Sequence, residues 1–219
     1  MHTGWYVIQC MSTLNKKSIA AGARDLARER ILDAAFAEMR RQGFQAASVS
    51  AILSETELTK GALYHYFPGK KELGLAVVDE RVLEALRTSI LDSLCVSEAD
   101  DVPLDKLFHL LDTAKTWTED SIRLGCPLNN LMQEMSAVDE DFRQHLIAIV
   151  VLWQDRVHAL LKLAQTKGQL RADVDCHAAA LFVVAAWEGS ISVAKNMQSM
   201  PVFVASIEQL KQYVQHLQI

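Results

Sequence analysis

Between Ser48 and Phe67 the chain reads SVSAILSETELTKGALYHYF, which has room for two short helices, a tight turn and little else. Ser48 and Thr59 are N-cap residues by type, because a side-chain oxygen satisfies a backbone N–H that the helix start leaves unpaired. Val49, Ile52 and Leu53 give the first helix one apolar face, and Leu58, Leu63 and Phe67 supply inward contacts for the rest. Lys60, Gly61, Ala62, Tyr64 and His65 are left on the outward, N-terminal side of the second helix. One cation, two small residues and two aromatic donors suit a helix laid in a DNA major groove. On pattern alone, a helical hairpin with a merely solvated polar face fits equally well.

Context separates the two readings. A long amphipathic helix precedes the unit and stops at Gly43-Phe44, and Pro68-Gly69-Lys70-Lys71-Glu72-Leu73 follows it. The run from Ile31-Leu32-Asp33-Ala34-Ala35-Phe36 through Leu63-Tyr64-His65-Tyr66-Phe67 to Leu73 closely resembles the TetR/AcrR family of bacterial transcriptional regulators. The family usually carries Ala-Gly in the turn where this chain has Thr56-Glu57, and a non-glycine residue tolerates a left-handed turn at modest cost. The resemblance implies an all-α fold: a three-helix helix-turn-helix head, then a C-terminal helical ligand-binding and dimerisation domain, about nine helices altogether. The expected division is an arm over 1–22, the head over 23–72 and the larger domain over 73–219. The resemblance also implies that Ser48, Thr59, Tyr64, Tyr66 and Lys70 hold phosphates. Lys60, Gly61, Ala62 and His65 would face base edges, with Ser50 a weaker candidate. In the alternative, Tyr64 or Tyr66 packs against the first helix.

Composition agrees with a helical chain. Half of the 219 residues are hydrophobic, with only nine Gly and four Pro, which favours helices over a β-rich fold. The net charge of -5 hides an asymmetry. Residues 1–72 hold ten Lys/Arg against seven Asp/Glu, and the remainder twelve against twenty. A basic head on an acidic body fits a protein that touches phosphate at one end. Cys10, Cys95, Cys126 and Cys176 are widely spaced, which argues against a zinc ribbon or a disulfide scaffold. The histidines lack ligand spacing, so no metal and no cofactor are expected. The longest apolar run, near Ile147–Trp153, is too short to span a bilayer. The N-terminus lacks the basic and apolar regions of a signal peptide, and a cytoplasmic home is expected.

Residues 1–22 look unstructured, with an odd patch at Trp5-Tyr6-Val7-Ile8, an alternative start at Met11, and Lys16 and Lys17 as a basic arm. A first helix is expected over about 24–42, with Leu26, Ile31, Leu32, Ala35, Phe36 and Met39 inward and Gly43 as its stop. A fourth helix over about 70–94 buries Leu73, Val77, Val78, Val82, Leu86 and Ile90, and links head to body. Further helices are expected over about 104–119, from Pro127 to about 137, 139–167, 175–198, and from Pro201 onward.

On the last two, Ala179, Val183, Ala186, Ser190, Val193 and Met197, then Phe203, Ile207, Leu210, Val214 and Leu217, step by four and three residues. Two such seams suit a helical bundle. They either complete the monomer core or pair two subunits, and the homodimer is preferred because helix-turn-helix readers need two heads about one DNA turn apart. The resemblance further implies a small-molecule pocket lined by Leu83, Leu86, Leu107, Leu111, Trp117, Met132, Met135, Trp153 and Trp187. Residues of these types at helical spacing also serve as plain core. Cys126 stands at a helix start near Arg123, where the helix dipole would favour its thiolate. A Gly-Cys pair here occurs in a branch of the family in which some members respond to electrophiles and others bind aromatic compounds. The expected function is a dimeric repressor released from a DNA operator by a small apolar or electrophilic inducer. The alternative is an all-helical ligand-binding or enzymatic protein that does not use its helix-turn-helix. Against enzyme status, the sequence shows no nucleophile–base pair, metal triad or phosphate loop.

Overall fold

The computed structural model describes residues 23–219, with side chains from Leu26 onward, and all the regular elements described are helices. The expectations placed on residues 1–22 lie outside the described residues. The helices gather into two units. Of the described residues, the first holds those up to Leu86 together with Pro127–Ile149, and the second holds Arg87–Cys126 and Val150–Ile219. The expected boundary at residue 72 therefore lies inside the first unit, which also takes back 127–149.

In the first unit, α1 (Ala23–Gln42) buries Ile31, Leu32, Ala35 and Met39. Leu26, expected inward, is 64% exposed. The helix stops because Gly43 turns left-handed at φ 83° while its N–H closes onto Met39 O at 2.9 Å, as glycine caps do. The next helix, α2 (Val49–Ser54), is capped by Ser48 Oγ, which accepts Ala51 N–H at 3.0 Å. Thr59 Oγ1 does the same for α3 (Lys60–Tyr66), accepting Ala62 N–H at 3.2 Å. Between them Glu57 adopts φ 56°. The buried Thr56 holds that turn: its hydroxyl donates to Leu53 O at 3.1 Å and accepts Leu58 N–H at 3.3 Å. Ile52, Leu63 and Phe67 close the unit from inside.

The fourth helical run begins as α4 (Lys70–Val77), widens into a π turn over Val78–Val82 and returns to α5 (Leu83–Leu86). A second π stretch, Arg87–Leu91, carries it into the other unit, and a 3-10 turn at Asp92–Leu94 ends it. Val78, Val82, Leu86, Ile90 and Leu94 are all buried. Steps of four residues drift by roughly 40° each around an ideal α-helix, so four such steps in a row cannot stay on one face. The i→i+5 closure of the π turns takes up that drift. The buried stripe expected from the sequence is present, and its period is what calls for the wider turns.

Ions and rings bind this unit. Arg28 is paired with both oxygens of Glu80, and Arg81 reaches Asp33 at 2.7 Å. Lys71 Nζ lies 2.7 Å from both Asp139 and Asp141. The rings of Phe44 and Phe142 meet at 4.5 Å over Gly74, where an added Cβ would stand 2.4 Å from Phe44 Cε2. Glu134 of α8 (Pro127–Met135) also bonds the Phe44 and Gln45 amides, and with the contacts above this explains why α8 and the start of α9 (Glu140–Thr166) belong here.

The second unit holds α6 (Leu104–Ala114), α7 (Glu119–Leu124), the rest of α9, α10 (Cys176–Met197) and α11 (Met200–His216). The sequence reading missed α7, whose start is signalled by the Thr118 cap and two acidic residues in its first turn. Trp153, Trp187 and Phe203 are fully buried at its centre. Trp117 meets Trp187 edge-on at 5.7 Å and stacks on Phe203 at 5.8 Å. Lys211 reaches both oxygens of Asp112 at 2.8 Å, fastening α11 to α6. Among the described helices, α10 has the length and hydropathy to cross a bilayer, yet half of that window is buried inside the protein. It is a core helix that packs along α11.

Two measurements check this account. Glu57→Gly relieves a left-handed non-glycine residue and should raise the unfolding free energy by up to about 1 kcal/mol in a urea titration; a loss would contradict the strained turn. The Arg28 guanidinium holds Glu80 below the ordinary carboxylate value. A depressed carboxylate contributes stability above its unfolded value, and that stability is lost as pH falls through the folded one. Glu80→Gln should therefore be less stable than wild type at neutral pH, and thermal melts of the two proteins should converge on acidification below the ordinary value of 4.5.

Candidate nucleic-acid interface

The caps and the buried residues of α2 and α3 decide what is left outside. Leu63 and Phe67 are buried, so Lys60, Gly61, Tyr64 and His65 are exposed and Ala62 and Tyr66 half-buried. Lys60 Nζ stands 5.8 Å above the Tyr64 ring. The His65 and Tyr66 rings meet edge-on at 5.1 Å. Lys60 and Tyr64 thus share the open side of α3, while Tyr66, two positions on from Tyr64, lies off that side and is half-buried. At Gly61 an added Cβ would meet only Thr59 Oγ1, at 3.9 Å. Packing within the chain does not require a glycine there.

The phosphate candidates differ in how much donor capacity they retain. Ser48 and Thr59 are exposed and accept their capping N–H groups, which leaves each hydroxyl hydrogen able to donate outward. Ser50 is exposed on α2. Lys70 is half-buried, donates to Gln45 O at 2.9 Å and lies 4.9 Å from the Phe44 ring centroid. One of its three donors is therefore spent on the loop between α1 and α2. The turn carries exposed carboxylates at Glu55 and Glu57.

The ligand candidates divide between the units. Leu107, Leu111, Trp117, Cys126, Trp153 and Trp187 lie in the second, where all but the half-buried Trp117 are buried. Leu83, Leu86, Met132 and Met135 belong to the first. Around Cys126 the surroundings differ from expectation. The thiol is buried and donates to Glu188 Oε1 at 3.3 Å. Arg123 is exposed and turned to Asp120 at 3.1 Å. The partner identified for this thiol is thus a carboxylate and not a cation. Glu188 escaped the sequence reading; its signal was being the sole acidic residue of the apolar α10. His145 pairs with Asp79 at 2.8 Å, His158 faces His177 at 5.7 Å, and His109 is exposed. Among the described residues no group of three or more His, Cys, Asp or Glu could hold a metal.

The seam expected to pair two subunits is largely spent inside one. Ala179, Val183 and Ser190 on α10, and Phe203, Ile207, Leu210 and Val214 on α11, are buried within the chain, and Ala186 and Leu217 are half-buried. Only Val193 and Met197 stay exposed. A seven-residue repeat drifts about 20° per heptad around a straight helix, so the seam begins inside α10 and ends outside. The outer side of α10 instead presents Leu181, Phe182, Ala185, Gly189, Val193 and Met197. Phe182 leans on Tyr213 of α11 at 4.5 Å.

Comparison with known proteins gives this geometry a family. Residues 31–77 match the model of bacterial regulatory proteins of the tetR family, and 103–209 match the tetracyclin repressor-like C-terminal domain. The transcriptional regulator AcuR of Cereibacter sphaeroides is 33% identical over 177 residues, 80% of each chain. An HTH-type transcriptional regulator from the lacX 3′ region of Lactococcus lactis is 32% identical over 185 residues, 84% of this chain and 91% of that one. The crystal structure of a regulatory protein TetR from Rhodobacter sphaeroides superposes with a TM-score of 0.71 at 30% identity, covering 85% of this chain and 98% of the other. With a helix-turn-helix whose outward side is open and a helical C-terminal domain behind it in sequence, the chain belongs to the TetR family of bacterial transcriptional regulators.

Proposed function

We propose that the protein is a homodimeric repressor that grips a pseudo-palindromic operator with two copies of α3 and lets go when a small, mostly apolar molecule enters the second unit. The observation that carries this reading is the outward set Lys60 to His65, with Gly61 in open space that packing alone does not explain. Lys60 donates to guanine O6 and N7, Ala62 meets a thymine methyl, and Ser48 and Thr59 donate to phosphates. Lys70 steadies the loop with one donor and has two left for the backbone. Ser50, Tyr64, His65 and Tyr66 complete the face, which works in the cytoplasm where the operator is.

The partner subunit meets α10 on its outer side, through Leu181, Phe182, Val193 and Met197, with Ala185 and Gly189 allowing close approach. This replaces the seam through Ala179 and Val183. Exposed apolar side chains in a continuous row mark an interaction surface more often than chance solvent contact. The inducer is recognised by the ring cluster of Trp117, Trp153, Trp187 and Phe203, with Glu188 and Cys126 as its polar end. Large apolar walls with few polar groups suit such a ligand, and the thiol's hydrogen bond to a carboxylate favours reversible binding over covalent capture.

The reading is tested by titrating the dimer into duplexes from the region upstream of its own gene across a salt series. A steep salt slope and one strongly preferred fragment are expected; equal weak binding to all fragments would refute a repressor. Lys60→Ala should lower operator affinity roughly tenfold and relax base preference at one position per half-site. Phe182→Asp should shift the mass in sedimentation from dimer to monomer, and a dimer unchanged by that charge would remove α10's outer side from the interface.

A further inference from the structure

The loop between α1 and α2 is held by a residue from far along the chain. Glu134 stands near the end of α8, and its carboxylate accepts the backbone N–H of Phe44 at 2.8 Å and of Gln45 at 2.7 Å. These amides follow the left-handed Gly43, where α1 has already ended. Two N–H donors on one carboxylate make charge-assisted bonds, stronger than neutral ones. Space for it exists because residue 43 lacks a side chain: an added Cβ would stand 2.8 Å from Glu134 Oε2. From the other side Lys70 donates to Gln45 O, and Phe44 is packed on Phe142. Ala47 N–H then returns to Gly43 O at 3.1 Å, and the next residue is Ser48, the cap of α2. The position of Ser48 is therefore fixed a few bonds away from Glu134.

The other end of α8 is Pro127, joined by a peptide bond to Cys126, whose thiol donates to Glu188. A nine-residue helix is a rod of about 13 Å. Hydrogen bonds near 2.8 Å weaken steeply when their donors and acceptor slide or tilt, so a small displacement of that rod is felt at Phe44 and Gln45.

We propose that Glu134 is a positioning residue for operator binding: its carboxylate sets the loop that presents Ser48 and α2, and α8 carries a displacement at Cys126 to that loop. The proposal rests on the reading of α2 and α3 as the DNA-binding elements and of the Cys126–Glu188 region as the inducer site.

The test uses the full-length protein with Glu134→Ala, Glu134→Gln, Cys126→Met and the Glu134→Ala/Cys126→Met double variant. Glu134→Ala should speed amide exchange at Phe44 and Gln45 and weaken operator binding by about tenfold or more. Glu134→Gln, which keeps one good acceptor, should recover part of both and serves if the alanine variant fails to fold. Cys126→Met, which adds volume beside Glu188, should weaken operator binding with Glu134 present and add little further loss to Glu134→Ala, as two steps on one route do. Wild-type exchange at Phe44 and Gln45 in both Glu134 variants, or operator affinity equal to wild type, overturns the positioning role. Losses that multiply fully in the double variant, or no effect of Cys126→Met, overturn the route through α8. Failure of the DNA-binding reading is seen separately, as a wild-type protein that binds no upstream fragment; exchange at Phe44 and Gln45 then still decides the role of Glu134.

Discussion

Helices of six and seven residues do not persist alone in water, because nucleation costs more than so few hydrogen bonds return. The helix-turn-helix of this protein consists of two of them. Each is held by a hydroxyl cap at one end and by buried side chains along one side: Ile52 for α2, Leu63 and Phe67 for α3. That arrangement fixes the orientation of the rest. With Leu63 directed inward, Lys60, Gly61, Tyr64 and His65 have only the outer side to occupy. The turn between the helices accepts a left-handed glutamate because Thr56, buried beside it, supplies bonds to both flanking strands of backbone.

Around that small unit the chain has placed longer, stiffer parts. The run from Lys70 to Leu94 keeps one buried stripe by alternating α and π turns, so the interruption of regular helix is a consequence of side-chain spacing. In the second unit four large rings from α9, α10, α11 and the link between α6 and α7 pack on one another, and among the described residues of that unit a single carboxylate, Glu188, is buried. A buried acid is costly unless it is bonded. Its bond to Cys126 supplies a partner for one of the carboxylate oxygens.

Much of this was legible in the sequence because it is local. Ser48 and Thr59 are caps by type, Gly43 is a stop with positive φ, and the stripe from Leu73 to Ile90 is buried as its spacing implied. The outward set on α3 follows from the inward one. Two local signals were misweighed: Leu26 continues the apolar rhythm of α1 yet faces solvent, and the Thr118 cap that opens α7 was passed over.

What the sequence alone determined is where helices begin and end and which side of each is apolar, since both depend on residues within a turn or two of one another. What only the tertiary structure decided is what each apolar side meets and which distant polar groups bond. The period through Ala179 and Val183 marks a stripe without saying whether α11 of the same chain or another subunit covers it; packing gave it to α11 and left Leu181 and Phe182 outside. Likewise Glu134 bonds an amide 90 residues away and Cys126 a carboxylate 62 residues away. Such pairings arise when packed helices carry the groups within reach, and separations of that size leave no trace in local spacing.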